Sequence, residues 1–437
     1  MTSATLLSFL EALVCAIAGT ACAYKLAKNY NWMSGRKKYL FLIVILLPLV
    51  TPPLLPAYVY SSFSINFQTQ PLLNELLYLL LITAKGLPVA FLTLLIFPLK
   101  QTTSAEFCER LLKSDQKIKL AGNLSAAFAL CTIYIFHDYE IASLLRIRHW
   151  SVVLFNAHAG GLVLNLAGSF QMAALPAFIT LILIGIFFIA FKNCRDQPFK
   201  IAQKPTAQSW LMPLFFTLLT TLLPLIFLLS QSTKGFADIF SSGWMVREFT
   251  HSILLSSVTT LCCLCIALAL TRFSKGLAFI CSIPGLFGAL ILGLLFIGVF
   301  NLTFLSSLKS SVIPLISAMI VYGLPFALVT VLMLQKQRTS YTLNLLPAAS
   351  AKEVHWLSVL RPSILITLPL FCILWFDLTL SSMLAPASVT TLFPRLYNLM
   401  HYSENEKLSA SVIVTCFIPL VVYLAIISAG NLFYRRK

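Results

Sequence analysis

Three acids and a lysine fall within or at the edges of long apolar runs: Glu11, Glu75, Lys85 and Asp377. An ionisable group at membrane depth is costly unless it is paired or wetted, so each demands a reason. One reason is a lining for a solute pathway; the other is a contact between helices. Glu11 and Lys85 lie deepest in their runs, and an ion pair between their helices accounts for them as well as transport does. Glu75 and Asp377 fall closer to an outer interface. Glu11, Lys85 and Asp377 are therefore the pathway or interhelix candidates.

Other chemistry finds little support. The histidines are His137, His149, His158, His251, His355 and His401, and no two share the HxxxH spacing that would set a zinc site on one helix. Interface histidines are the better reading, and no metal is expected. No glycine-rich phosphate loop is present, so the chain is not expected to bind ATP itself. No nucleophile, histidine and carboxylate assemble from local motifs, which argues against an enzyme and for no cofactor. Most of the 11 cysteines, such as Cys262, Cys263 and Cys265, sit in apolar runs and read as small polarizable core residues.

The elements that must carry these residues are membrane spans. Of 437 residues, 59% are hydrophobic and 10% charged, against about 25% charged in a soluble domain. Apolar runs of nearly the roughly 20 residues needed to cross a bilayer recur along the whole length. They predict an all-α polytopic bundle of about eleven helices at 4–24, 39–60, 73–98, 118–136, 166–191, 210–230, 250–271, 277–300, 311–334, 362–384 and 409–433. The runs are too long and continuous for barrel strands. Prolines inside them, including Pro52, Pro53, Pro56, Pro284, Pro314 and Pro369, predict breaks, which act either as moving bends or as static kinks. The opening MTSATLLSFL has no Lys or Arg, unlike the charged start of a secretory signal, so the first helix is expected to be retained.

The net charge of +17 does not point to nucleic acid, because the basic residues sit in short segments between spans. With the C-terminus placed in the cytosol, the inside segments hold 23 Lys and Arg and the outside segments 7. That asymmetry is the positive-inside signature and predicts an external N-terminus. A weak internal repeat is also present. Two long inside loops, 99–117 and 335–361, are each followed by a span, a mixed external segment and a last span. The external segments open on His137-Asp138-Tyr139-Glu140 and on Asp377-Leu378-Thr379-Leu380. Two related halves are expected, 1–205 with about five helices and 206–437 with about six, and parallel repeats of this kind place a pathway at their interface.

Four stretches carry a resemblance. They are the proline-rich 47–60; His251-Ser252-Ile253-Leu254-Leu255-Ser256-Ser257 with Ile283-Pro284-Gly285; the acidic segment 377–386; and 390–399 with Leu408-Ser409-Ala410. In this order they resemble the fused two-half inner-membrane permeases of type I ABC importers, in the iron(III) and thiamine branch. The likeness covers most of the chain and lies in the order of the pieces.

It implies two copies of an ATP-binding cassette subunit, an extracytoplasmic solute-binding protein, surrounding membrane lipid, and a multi-pass location in the cell inner membrane. It also implies two ATPase-coupling loops, with Glu106 and Arg110 in the first and Ala348, Ala349, Glu353, Arg361 and Pro362 in the second. The chain departs from that family in two places. The first half has five spans where six are usual. The coupling motif is degenerate: Pro347-Ala348-Ala349 leads to Arg361-Pro362 without the glycine, and Glu106-Phe107-Cys108-Glu109-Arg110 leads to Ala121-Gly122-Asn123 without Leu-Pro. The alternatives are an ion-coupled secondary transporter and a diverged permease without coupling.

Overall fold

Many large apolar side chains face outward on the long helices, as on a surface met by lipid. A computed structural model describes residues 1–33, 35–66, 70–96, 116–160, 166–193, 208–232, 235–241, 244–345, 361–401 and 405–435. In α1 (Thr2–Trp32), Leu6, Leu10, Val14 and Ile17 are exposed, while Ala12, Ala16, Ala23 and Ala27 are buried. A small-residue face lets helix backbones approach closely, which is how helices associate where lipid is as apolar as leucine.

The chain continues through α2 (Gly35–Val50), α3 (Leu54–Asn66), α4 (Pro71–Ile96) and α5 (Gln116–Phe136). Short helices α6 (Glu140–Leu144) and α7 (Trp150–Ala159) precede the long α8 (Leu166–Asn193). Next come α9 (Gln208–Thr217), a π turn (Leu218–Leu222) and α10 (Leu223–Gln231). After α11 (Gly235–Ser241) and α12 (Trp244–Phe273) stand α13 (Lys275–Ser282), a 3-10 turn (Ile283–Phe287) and α14 (Gly288–Phe300). The last elements are α15 (Ile313–Leu345), α16 (Arg361–Trp375), α17 (Thr379–Leu384), α18 (Leu392–His401) and α19 (Asn405–Arg435).

Among the described residues, eight helices are long and apolar enough to cross a membrane, and the bent pair Lys37–Val50 and Leu54–Ser61 makes a ninth. The protein is an all-α, multi-pass membrane bundle. Of the two other expected spans, 118–136 lies within α5. The run 362–384 is not one helix: α16 stops at Trp375, and a separate α17 follows. The side chain of Asp377 supplies the reason for that break, described below.

The described chain divides into two compact units, Met1–Pro224 with Leu286–Leu294, and Leu225–Gly285 with Leu295–Lys437. In the first, α1, α4 and α5 pack on one another, and α8 packs on α5. Gly86 of α4 meets α5 so closely that an added Cβ would lie 2.6 Å from Ile135 Cδ1, so a larger residue would force that side chain to move. In the second unit α12, α15 and α16 form the corresponding trio, and α19 packs against α16, α11 and α18. Here Gly323 of α15 does the same: an added Cβ would lie 2.9 Å from Cys263 Sγ of α12 and 3.2 Å from Leu374 Cδ2 of α16.

Pro52 and Pro53 do break their span, which turns by 64° between α2 and α3. The break frees a carbonyl. Leu55 N donates to Pro52 O rather than to Thr51 O, and Lys85 Nζ takes Thr51 O at 2.7 Å. The π turn lies against this elbow: Thr221 Oγ1 is 2.6 Å from Thr51 Oγ1, and Tyr60 OH donates to Leu219 O. Side chains thus bridge the two irregular segments, and Tyr60 satisfies one carbonyl of the π turn. Of the other prolines, Pro284 falls in the 3-10 turn, Pro314 is the second residue of α15, and Pro369 lies inside α16.

Candidate functional site

Each unit holds a polar cluster built on an aspartate two residues beyond a helix end. In the first unit α5 ends at Phe136, and Asp138 Oδ2 accepts from Ala142 N at 3.0 Å, capping α6. An acid accepting orphan N–H groups at a helix start is a favourable arrangement. Tyr78 of α4 hydrogen-bonds to the same carboxylate, and the Lys85 charge acts on it. The Asp138 carbonyl accepts from Ser151 Oγ at 2.6 Å, and Ser151 Oγ lies 2.7 Å from Nδ1 of the buried His149. His149 is the N-cap of α7. Trp150 N donates to Ser8 Oγ of α1 at 3.1 Å, and Trp150 Nε1 to Phe136 O at 2.6 Å.

Burial raises the Asp138 carboxyl to about 6, against the lowering effects of its hydrogen bonds and of Lys85. Burial, with a smaller push from His137, lowers the His149 imidazole to about 3, so it is neutral at ordinary pH.

The second unit repeats the arrangement. Helix α16 ends at Trp375, and buried Asp377 accepts from Leu380 N at 3.4 Å, Ser381 N at 3.0 Å and Ser381 Oγ at 3.3 Å. That capping starts α17 afresh and is why an apolar run that reads as one span is cut in two. Leu392 N, at the first residue of α18, donates to Ser252 Oγ of α12 at 2.9 Å. Trp150 N and Ser8 in the first unit make the matching bond. Three buried polar atoms near this cluster have no hydrogen-bond partner: Glu248 Oε2, His251 Nδ1 and Thr391 Oγ1.

The structure sorts the expected residues. Lys85 is buried at the α2–α3 elbow, where its Nζ donates to Thr51 O and its charge acts on Asp138. Glu11 is associated instead with Glu75, and its Oε2 is buried without a hydrogen-bond partner. Cys15 reaches Leu79 O and Gly19 lies against Leu87, so α1 and α4 run in the same direction. Those two contacts put Glu11 six to ten residues, roughly 9–15 Å, along the axis from the level of Lys85, at 1.5 Å per residue. Asp377 caps α17. Glu106, Arg110, Ala348, Ala349 and Glu353 lie outside the described residues, and Arg361 and Pro362 open α16. Among the described residues no group of three or more His, Cys, Asp or Glu could hold a metal.

Sequence reasoning paired Asp138 with Asp377 in the repeat, quoted Ser252 and Thr391 in the family-like stretches and weighed His149 as an interface histidine, but gave none of them a site role, and it missed Tyr78, Ser151 and Glu248. The available signal was pairing at a near-constant spacing. Ser8 and Ser252, Asp138 and Asp377, and Trp150 and Leu392 are each separated by almost the same stretch of chain. No protein-family model matches the chain, and no curated protein matches it either.

Proposed function

We propose that the chain is the permease of a binding-protein-dependent ABC importer, moving its solute by alternating access while separate ATPase subunits supply the work. One observation carries the reading: the order long helix, aspartate, short helix, second short helix, long helix occurs in both units. In each, the same serine-to-backbone bond ties the second short helix to an earlier span. A doubled bundle of this kind is suited to rocking one repeat against the other around a central pathway. On this reading 1–205 and 206–437 are the two halves, and the loops bearing Glu106 and Arg110, and Ala348, Ala349 and Glu353, seat in two cassette subunits. An extracytoplasmic binding protein delivers the solute, iron(III) being the class the resemblance favours. The membrane is the cell inner membrane, with the C-terminus cytoplasmic.

The test is copurification and uptake. The full-length chain, expressed with its neighbouring genes, should retain an ATPase, and alanine replacement across 347–361 should abolish uptake without lowering the amount of protein. Complexes that never retain an ATPase, together with uptake indifferent to those replacements, would sink the proposal. A second reading, transport driven by an ion gradient, is favoured by the unpartnered Glu11 carboxylate oxygen in an apolar span. Uptake stopped by an uncoupler and spared by ATP depletion would select it.

A further inference from the structure

Asp138 and Asp377 occupy matching positions, but their electrostatic surroundings differ. Asp138 has the Lys85 ammonium acting on it. Asp377 is met, among the described residues, by Leu380 N, Ser381 N and Ser381 Oγ, with no basic side chain among its partners. Where the first unit has Lys85 beside Gly86, the second has Tyr322 beside Gly323.

Next to Asp377 is a cavity of about 10 Å³, lined on its polar side by Ser252, Ser256, Asp377, Ser381 and Thr391. That is room for about one water molecule or one small ion. Thr391 is 5% exposed, and its hydroxyl is buried with no partner. Ser252 Oγ accepts from Leu392 N, which leaves a second lone pair. The polar side is hard oxygen with a single carboxylate, and Leu255, Met319, Leu374, Trp375 and Phe393 close the other side. One carboxylate balances one positive charge, whereas calcium sites commonly use more than one.

We propose that this cavity binds one monovalent cation of sodium size, held by the Asp377 carboxylate, Thr391 Oγ1 and Ser252 Oγ. The cation fills in the second unit the electrostatic place that Lys85 fills in the first. An aspartate in an apolar bundle then carries its charge against a countercharge rather than alone. The site needs neither an ATPase nor the coupling loops, so it stands or falls apart from the importer reading.

The experiment uses the full chain in nanodiscs of zwitterionic lipid. Melting temperature is followed as NaCl replaces choline chloride at constant ionic strength, and binding of radioactive sodium is measured at equilibrium. The expected result is a saturating rise in melting temperature with sodium and not with choline, and one ion bound per chain. Thr391→Val, close to isosteric, should weaken the apparent affinity at least tenfold, as should Ser252→Ala. Ser8→Ala, at the matching place in the first unit, should leave the response intact. Identical melting curves in sodium and choline would overturn the proposal and make the cavity a water site. A sodium response that survives in both Thr391→Val and Ser252→Ala would overturn it equally.

Discussion

At the scale of single residues, Lys85 does two things. It satisfies the carbonyl that Pro52 and Pro53 set free, and it offsets the charge of Asp138. Lys85→Met removes both and should destabilise the protein by roughly 1–3 kcal/mol, the cost of leaving the buried Thr51 carbonyl without its donor. Adding Asp138→Asn to Lys85→Met should recover part of that loss. A double-mutant cycle by thermal unfolding in detergent measures the coupling, and strict additivity would remove Asp138 from the role given to it. The pH dependence has a definite sign. A carboxyl raised to about 6 in the folded state binds its proton more tightly there than when unfolded. Its contribution is therefore least favourable above pH 6 and improves as pH falls toward its ordinary 3.8. His149, lowered to about 3, runs the other way and weakens the fold as pH drops below 6.5. The difference between Asp138→Asn and the parent isolates the carboxyl: the variant should lose stability more steeply than the parent between pH 7 and pH 4.

At the scale of elements, close packing decides which glycines matter. Gly86→Ala forces a methyl against Ile135 and Cys131, and overpacking of this kind costs about 1–3 kcal/mol. Gly185 in α8 has nothing within 4 Å of an added Cβ, so Gly185→Ala should gain up to about 1 kcal/mol from helix propensity. Unfolding midpoints of the two variants should move in opposite directions. The contrast was not readable in the sequence, where both glycines sit in similar apolar runs. The existence of the spans was readable, because length and hydropathy are local properties. The end of α16 was not. Leu378, Leu380 and Leu384 continue the apolar run, and only the folded position of Asp377 shows that its carboxylate begins a new helix. The polar clusters were hidden for a related reason. Ser8, Tyr78, Asp138 and His149 are isolated single residues, joined only once α1, α4, α5 and α7 pack together. The proline break at 52–53 was foreseeable from covalent chemistry; that a lysine more than thirty residues onward would satisfy it was not.

At the scale of the whole molecule, the orientation proposed from 23 inside and 7 outside basic residues is open to a direct check. Green fluorescent protein fused after Lys437 should fluoresce, and alkaline phosphatase at the same point should be inactive; the opposite pair of results would invert the arrangement. The elbow between α2 and α3 carries a further consequence. A span turned through 64° takes up more bilayer area at the depth of its corner than a straight one. Straightening it would pull Thr51 O away from the ammonium that holds it. Straightening the elbow would therefore cost the protein this hydrogen bond, so one lysine on a neighbouring helix helps to fix the outline the span presents in the bilayer plane.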